Sequence, residues 1–96
     1  MQTVALLKET REEILRIASR HGAYNVRVFG SMARGEALSD SDIDLLVELE
    51  PGRTLVDLGS LQVDLGEALG RSVDVLTENG LHWYIREQVL KEAVCL

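Results

Sequence analysis

Several features are scarce or missing in this sequence, and each absence excludes a class of protein. The single cysteine, Cys95, cannot form an internal disulfide, which is typical of a protein from a reducing compartment. No apolar run is long enough to span a membrane or to serve as a secretory signal. The sequence therefore predicts a cytoplasmic protein with no membrane partner.

Positive charge is also scarce. Lysine and arginine together number 10 against 16 acidic residues, which gives a formal net charge of −6. Nonspecific binding to nucleic acid depends on clustered basic side chains, so an extensive nucleic-acid surface is excluded. A single nucleotide stays compatible with this charge, because bound cations would reverse the sign of a local acidic patch.

The hydrophobic pattern predicts one small layered domain over residues 1–96. Helical spacing alternates with short β-favouring runs, which predicts an α/β (α+β) fold with a small mixed sheet of three or slightly more strands and about four helices. A core of this size is marginally stable, so we expect a partner protein or a second copy of the chain to add stability. The predicted elements are a helix over 3–21, a strand over 26–29, a short helix after Ser31, a strand over 43–47, a helix over 55–69, a strand over 72–77 and a helix over 85–94.

A turn of small residues follows the first predicted strand. Gly30 would let a ligand approach the backbone closely, and Ser31 is suited to cap a short helix whose free N–H groups favour an anion. Arg34 adds a cation one turn later, and Gly35 ends the turn. The pattern predicts a phosphate-binding turn. It is also typical of an ordinary helix start and stop, and its spacing differs from that of a P-loop.

Two acids interrupt the second predicted strand. Asp42 and Asp44 would share one face, with their backbones roughly 6.5 Å apart. Carboxylates among aliphatic residues are costly unless a cation such as Mg²⁺ neutralises them. A solvated turn explains Asp40 and Asp42 but not Asp44. An EF-hand calcium loop is excluded because Leu45 and Pro51 stand where it needs glycine and glutamate.

A third acid, Asp74, stands between two valines in the last predicted strand. Taken alone, it is also explained as an edge-strand residue that faces water. Together with Asp42, Asp44 and the turn at Gly30, it indicates a site in which carboxylates hold two metal ions beside a bound triphosphate.

These motifs resemble the minimal nucleotidyltransferases, the smallest members of the DNA polymerase beta superfamily. The resemblance lies in the segments 30–35 and 41–44 and in Asp74, and it extends over nearly the whole chain. It implies a polymerase-beta-like nucleotidyltransferase fold, with ATP as substrate and two Mg²⁺ ions as cofactors. The residues that it implies for ATP binding are Gly30, Ser31 and Arg34, and those for catalysis and metal binding are Asp42, Asp44 and Asp74.

The resemblance also implies a partner. Stand-alone members of this family are often paired with a HEPN-domain ribonuclease toxin and act as antitoxins that transfer AMP to a tyrosine of the toxin. Two other functions stay open: a non-catalytic nucleotide-binding antitoxin that neutralises its partner by occlusion, and a nucleotidyltransferase that modifies a small molecule. Enzymes of the last kind usually carry a further helical domain to hold the acceptor. The sequence shows none, which favours a protein acceptor.

Other polar and aromatic residues carry weaker signals. His21 is expected to be a favourable charge at the end of the first helix. Arg27 is a candidate to face the acids and pair with one of them. For the aromatic segment 82–84, packing of the last helix against the sheet is expected ahead of stacking on a nucleobase or contact with a partner.

Overall fold

Four strands form one mixed sheet in this computed structural model, which describes residues 2–34 and 42–96. In chain order, the elements are α1 (Gln2–Arg20), β1 (Ala23–Phe29), α2 (Ser31–Arg34), β2 (Ile43–Leu49), α3 (Leu55–Leu69), β3 (Val73–Thr77), a short 3-10 turn (Glu78–Gly80), α4 (Trp83–Glu92) and β4 (Val94–Cys95). The strand order is β3-β2-β1-β4. The α/β prediction, with about four helices and a sheet slightly larger than three strands, is confirmed.

The second and third strands run parallel, whereas β1 is antiparallel to both β2 and β4. The fourth strand was not predicted, and the prediction that the last helix continues to residue 94 is wrong. Helix α4 ends at Glu92, and Ala93 is extended. Val94 and Cys95 instead pair with Val28 and Arg27 of β1, because that edge of β1 offers the hydrogen-bond partners that a longer helix would not reach.

Each face of the sheet packs against different helices. On the first face, alternate residues of β1, β2 and β3 join α1 and α3 in the main core, as the period of two along a strand requires. On the second face, Leu46 packs with Leu81 and Val89, which come from the segment that contains α4. The principal side chains of the main core are Ile14, Ala18, Val28, Met32, Ile43, Leu45, Val47, Leu61, Leu65, Val73 and Val75.

The long helices bury the stripe that their spacing predicts. In α3, Leu61 and Leu65 are buried, and Leu58 and Leu69 pack partly against the core. None of the helices among the described residues has the length and apolar character needed to cross a membrane.

Helix α3 begins with a capping box. The Thr54 Oγ1 accepts a hydrogen bond from the Val56 N–H at 3.2 Å, and the Asp57 Oδ2 accepts one from the Thr54 N–H at 2.8 Å. That backbone hydrogen bond, together with Arg53, lowers the pKa of Asp57. The charged form of Asp57 therefore stabilises the fold above the ordinary pKa of an aspartate, and this stabilisation is lost as the pH falls through the lowered value.

Replacement of Thr54 by alanine removes the side-chain half of this cap. We expect Thr54→Ala to lower the free energy of unfolding by about 1 kcal/mol, as is usual for the loss of a threonine cap. Urea denaturation at neutral pH measures the change. Ser60→Ala, at an exposed position of the same helix, is the control and should change the free energy by less than about 0.5 kcal/mol. Equal effects of the two substitutions would contradict the capping role.

Candidate functional site

Two of the predicted acids lie directly opposite each other. Asp44 of β2 is in register with Asp74 of β3, and neighbouring strands are only about 4.8 Å apart. Asp44 is partly buried, whereas Asp74 is exposed on the edge strand. Asp42 is also exposed and lies one residue before β2 begins. The sheet thus brings the three acids to one end of two adjacent strands.

The electrostatics of this acid cluster (Asp42, Asp44 and Asp74) are unfavourable for its most buried member. Partial burial raises the pKa of Asp44, and the negative charges of Asp74 and Asp42 raise it further, while Arg34 acts in the opposite direction. Desolvation and like charges disfavour the ionised form of a carboxylate, whereas an opposite charge favours it. A cation bound at the cluster would remove this repulsion.

Gly30 leaves room beside Asp44. It directly follows Phe29, which pairs with Asp44 across β1 and β2. Its φ of +73° is in the left-handed region, and a Cβ at this position would lie 2.5 Å from Asp44 Oδ2. The Gly30 carbonyl accepts a hydrogen bond from the Arg34 N–H at 3.2 Å, which closes the turn of α2. The Asp44 carboxylate therefore lies against the main chain of Gly30, where a residue with a side chain would collide with it.

Part of the predicted phosphate turn lies outside the described residues. The backbone of Ser31 begins α2, but its side chain lies outside the described part of the structure. Gly35 and Asp40 fall in residues 35–41, which also lie outside it.

The donor chemistry fits Mg²⁺. Among the described residues, no three carboxylate, imidazole or thiolate side chains are arranged as a complete metal site. Mg²⁺ does not need one, since it usually takes one or two carboxylates and fills its remaining positions with water and substrate phosphates. The acid cluster supplies such carboxylates, and the exposure of Asp42 and Asp74 leaves them accessible to a hydrated cation.

Arg34 is hydrogen-bonded to a residue of α4, outside the turn. Its Nη1 donates to both carboxylate oxygens of Glu92, at 3.1 and 3.2 Å, and Gln88 Nε2 donates to the same carboxylate at 3.3 Å. Glu92 was not predicted from the sequence, because nothing in its local sequence separates it from the other acids on an exposed helix.

Comparison with known proteins identifies the family. Residues 7–96 match the family model described as a nucleotidyltransferase domain. The chain belongs to the nucleotidyltransferase family. It is thus an enzyme of that kind.

Individual relatives agree with this assignment. The protein adenylyltransferase MntA of Thermococcus cleftensis is 39% identical over 87 residues, which cover 91% of this chain and 81% of that protein. A solved structure described as a minimal nucleotidyltransferase is 53% identical, with a TM-score of 0.84, and the match covers 96% of this chain and 94% of that one. A toxin–antitoxin structure with AMP-PNP shares the fold at 21% identity, with a TM-score of 0.75 and coverage of 88% and 69%.

Arg27 of this nucleotidyltransferase does not pair with the acid cluster. Its Nη1 donates to Glu78 Oε1 at 3.0 Å, and its Nε donates to the Asn25 carbonyl at 3.3 Å. The interpretation that Arg27 pairs with one of the three acids is therefore wrong. Register explains the outcome, because Arg27 lies opposite Leu46, two residues further along β2 than Asp44.

The expected packing of the aromatic residues is also wrong. Trp83 is 81% exposed and Tyr84 is 66% exposed, because Leu81 and Val89 already fill the space against Leu46.

His21 follows the end of α1, and its Nε2 lies 2.6 Å from Asp64 Oδ2 in α3.

A cavity of about 570 Å³ lies at the opposite end of β2 from Asp44. Its lining includes Leu49, Glu48 and Glu78. Both of these acids already have partners, since Glu48 accepts a hydrogen bond from Asn25 and Glu78 accepts one from Arg27. The cavity and the acid cluster are thus different places. The chemistry of nucleotidyl transfer favours the cluster, because it depends on carboxylates that can bind metal ions.

Proposed function

We propose that this nucleotidyltransferase transfers AMP from ATP to a tyrosine of a HEPN-domain toxin and so acts as its antitoxin. The pairing of Asp44 with Asp74, with the Asp44 carboxylate against the main chain of Gly30, carries the proposal. Further support comes from the Thermococcus cleftensis relative, which is a protein adenylyltransferase, and from the toxin–antitoxin structure that shares the fold.

Binding of the triphosphate falls to the turn between β1 and α2. Backbone N–H groups at Gly30 and Ser31 would donate to the β- and γ-phosphates, as at other turns where helix N–H groups meet an anion. Arg34 would add a charged donor to the same phosphates. Because Gly30 has no side chain, the Asp44 carboxylate lies directly beside the main chain that would bind the phosphates.

Catalysis falls to the acid cluster. Asp42, Asp44 and Asp74 would hold two Mg²⁺ ions, which when bound stabilise the charge on the attacking and leaving oxygens. Because Asp74 is exposed on the edge strand, an acceptor hydroxyl can reach it and give up its proton there. The acceptor oxygen then forms a bond to the α-phosphorus, the bond to the β-phosphate oxygen breaks, and pyrophosphate leaves.

One observation favours a second function, which is occlusion of the partner without transfer. Trp83 and Tyr84 are exposed, and such aromatic residues are enriched at protein interfaces. An occluding module would bind its partner equally well when Asp44 is asparagine, whereas an enzyme would lose the modification.

The proposal is tested by the mass of the candidate partner. The chain is incubated with ATP, Mg²⁺ and the product of the adjacent reading frame, and the intact mass of both proteins is measured. We expect the partner to gain one or more AMP units at tyrosine, and we expect EDTA or Asp44→Asn to prevent the gain. A stable complex with no change in mass would favour occlusion. Transfer to an aminoglycoside but not to the protein would favour the small-molecule enzyme.

A further inference from the structure

We propose that Glu92 is a positioning residue, which holds the Arg34 guanidinium where it can bind the triphosphate. The inference rests on the proposed function, because it takes Arg34 as a phosphate ligand. Its basis is the contact of Arg34 Nη1 with both oxygens of Glu92, at 3.2 and 3.1 Å. Glu92 is the less exposed of the two side chains, at 21% against 44% for Arg34.

Glu92 is itself fixed to the strand that leads into the phosphate turn. Only Ala93 separates Glu92 from β4, in which Val94 pairs with Val28 of β1. The Leu96 N–H then donates to the Val26 carbonyl at 3.1 Å. Gln88, one turn earlier in α4, donates to the Glu92 carboxylate at 3.3 Å. The carboxylate is thus anchored, through β4, to β1, the strand that ends at Phe29 immediately before Gly30.

The charge of the neighbouring site explains why Arg34 needs such an anchor. Its guanidinium interacts with Asp44, which lies beside Asp42 and Asp74. A long, flexible arginine beside three carboxylates would be drawn into ion pairs with them, and those pairs would occupy oxygens that a divalent cation needs. Glu92, at the end of α4, competes with these three carboxylates for the guanidinium. The planar group has five N–H donors, so contact with Glu92 at one nitrogen is compatible with phosphate binding at another edge.

The test compares Glu92→Gln with a matched change on the same helix. Glutamine keeps the size of the side chain and can still accept a hydrogen bond, but it has no charge to hold the guanidinium. We expect Glu92→Gln to raise the KM for ATP about 5- to 10-fold, which corresponds to the loss of one charged contact, with kcat within about twofold. Glu87→Gln removes an exposed acid that pairs with Lys91 at 3.4 Å, and it should leave both constants unchanged.

A double-mutant cycle separates positioning from a general structural effect. In an Arg34→Ala background, Glu92→Gln should change the KM for ATP by less than about 1.5-fold, because the residue through which it acts is gone. Direct binding of a fluorescent ATP analogue in Mg²⁺ gives the same comparison without turnover. Urea denaturation of each variant shows whether stability has changed.

The outcomes distinguish this inference from the proposed function. If the wild-type chain transfers AMP and Glu92→Gln has the wild-type KM, or a lower one, the positioning role is wrong and the function stands. Additive effects of the Glu92 and Arg34 substitutions would also overturn it. If the wild-type chain neither binds Mg²⁺ and ATP nor transfers AMP, the proposed function falls, and the inference falls with it.

Discussion

Asp44→Asn is expected to abolish nucleotidyl transfer without unfolding the chain. An amide is neutral and a weaker ligand for Mg²⁺ than a carboxylate, so several kcal/mol of transition-state stabilisation should be lost. That corresponds to a fall in kcat of about 10³-fold or more. The free energy of unfolding, in contrast, should rise. Because burial and two neighbouring acids raise the pKa of Asp44, its ionised form destabilises the fold at neutral pH, and asparagine removes that penalty.

The measurement is transfer of labelled AMP, together with urea denaturation of the same preparations. Asp42→Asn should behave as Asp44→Asn does. Asp64→Asn is the control, because Asp64 is an acid of α3 that contacts His21 rather than the acid cluster; we expect it to keep full activity. Retained transfer in both the Asp42 and the Asp44 variants would refute the metal-binding assignment.

Gly30→Ala is expected to have the second-largest effect, and it should impair both activity and stability. The added methyl group would lie 2.5 Å from Asp44 Oδ2, so the carboxylate or the turn must move. A displacement of this kind at a catalytic group can cost about 10²-fold in rate. The backbone has a φ of +73° at this position, which should cost about 1–2 kcal/mol of stability for a residue with a side chain.

Gly70→Ala is the matched control for this substitution. Gly70 also has a positive φ, of +64°, but a Cβ there would meet no atom within 4 Å. It ends α3 in the left-handed conformation, far along the chain from the phosphate turn. Gly70→Ala should therefore lower stability by a similar amount, measured by urea denaturation, and leave the transfer rate unchanged. If Gly30→Ala has no more effect on transfer than Gly70→Ala, close approach at Gly30 is not needed for activity.

The sequence was sufficient to predict the elements that form the acid cluster. Asp42 and Asp44 alternate with the aliphatic residues Ile43 and Leu45, which are buried on the other face. That alternation determines the face of Asp44 before any partner strand is known. Parallel pairing of β2 with β3 then brings Asp74 opposite it, which agrees with the resemblance to minimal nucleotidyltransferases. Which residues bind metal and nucleotide stays a prediction.

Other features depend on contacts between distant parts of the chain. Strand β4 contains only two residues, both exposed, and it exists because β1 has a free edge at that point. The pair of Arg34 with Glu92 joins residues 58 positions apart. The exposure of Trp83 depends on which other side chains cover Leu46. No local sequence pattern reports such long-range contacts. Strand β4 and the pair of Arg34 with Glu92 were therefore not predicted, and the prediction that Trp83 is packed was wrong.

The most direct test of the account is a crystal structure with Mg²⁺ and a non-hydrolysable ATP analogue. We expect metal ions coordinated by Asp42, Asp44 and Asp74, with the triphosphate against the Gly30 turn and in contact with Arg34. A nucleotide bound instead in the cavity at the other end of β2, with no metal at the acid cluster, would contradict it.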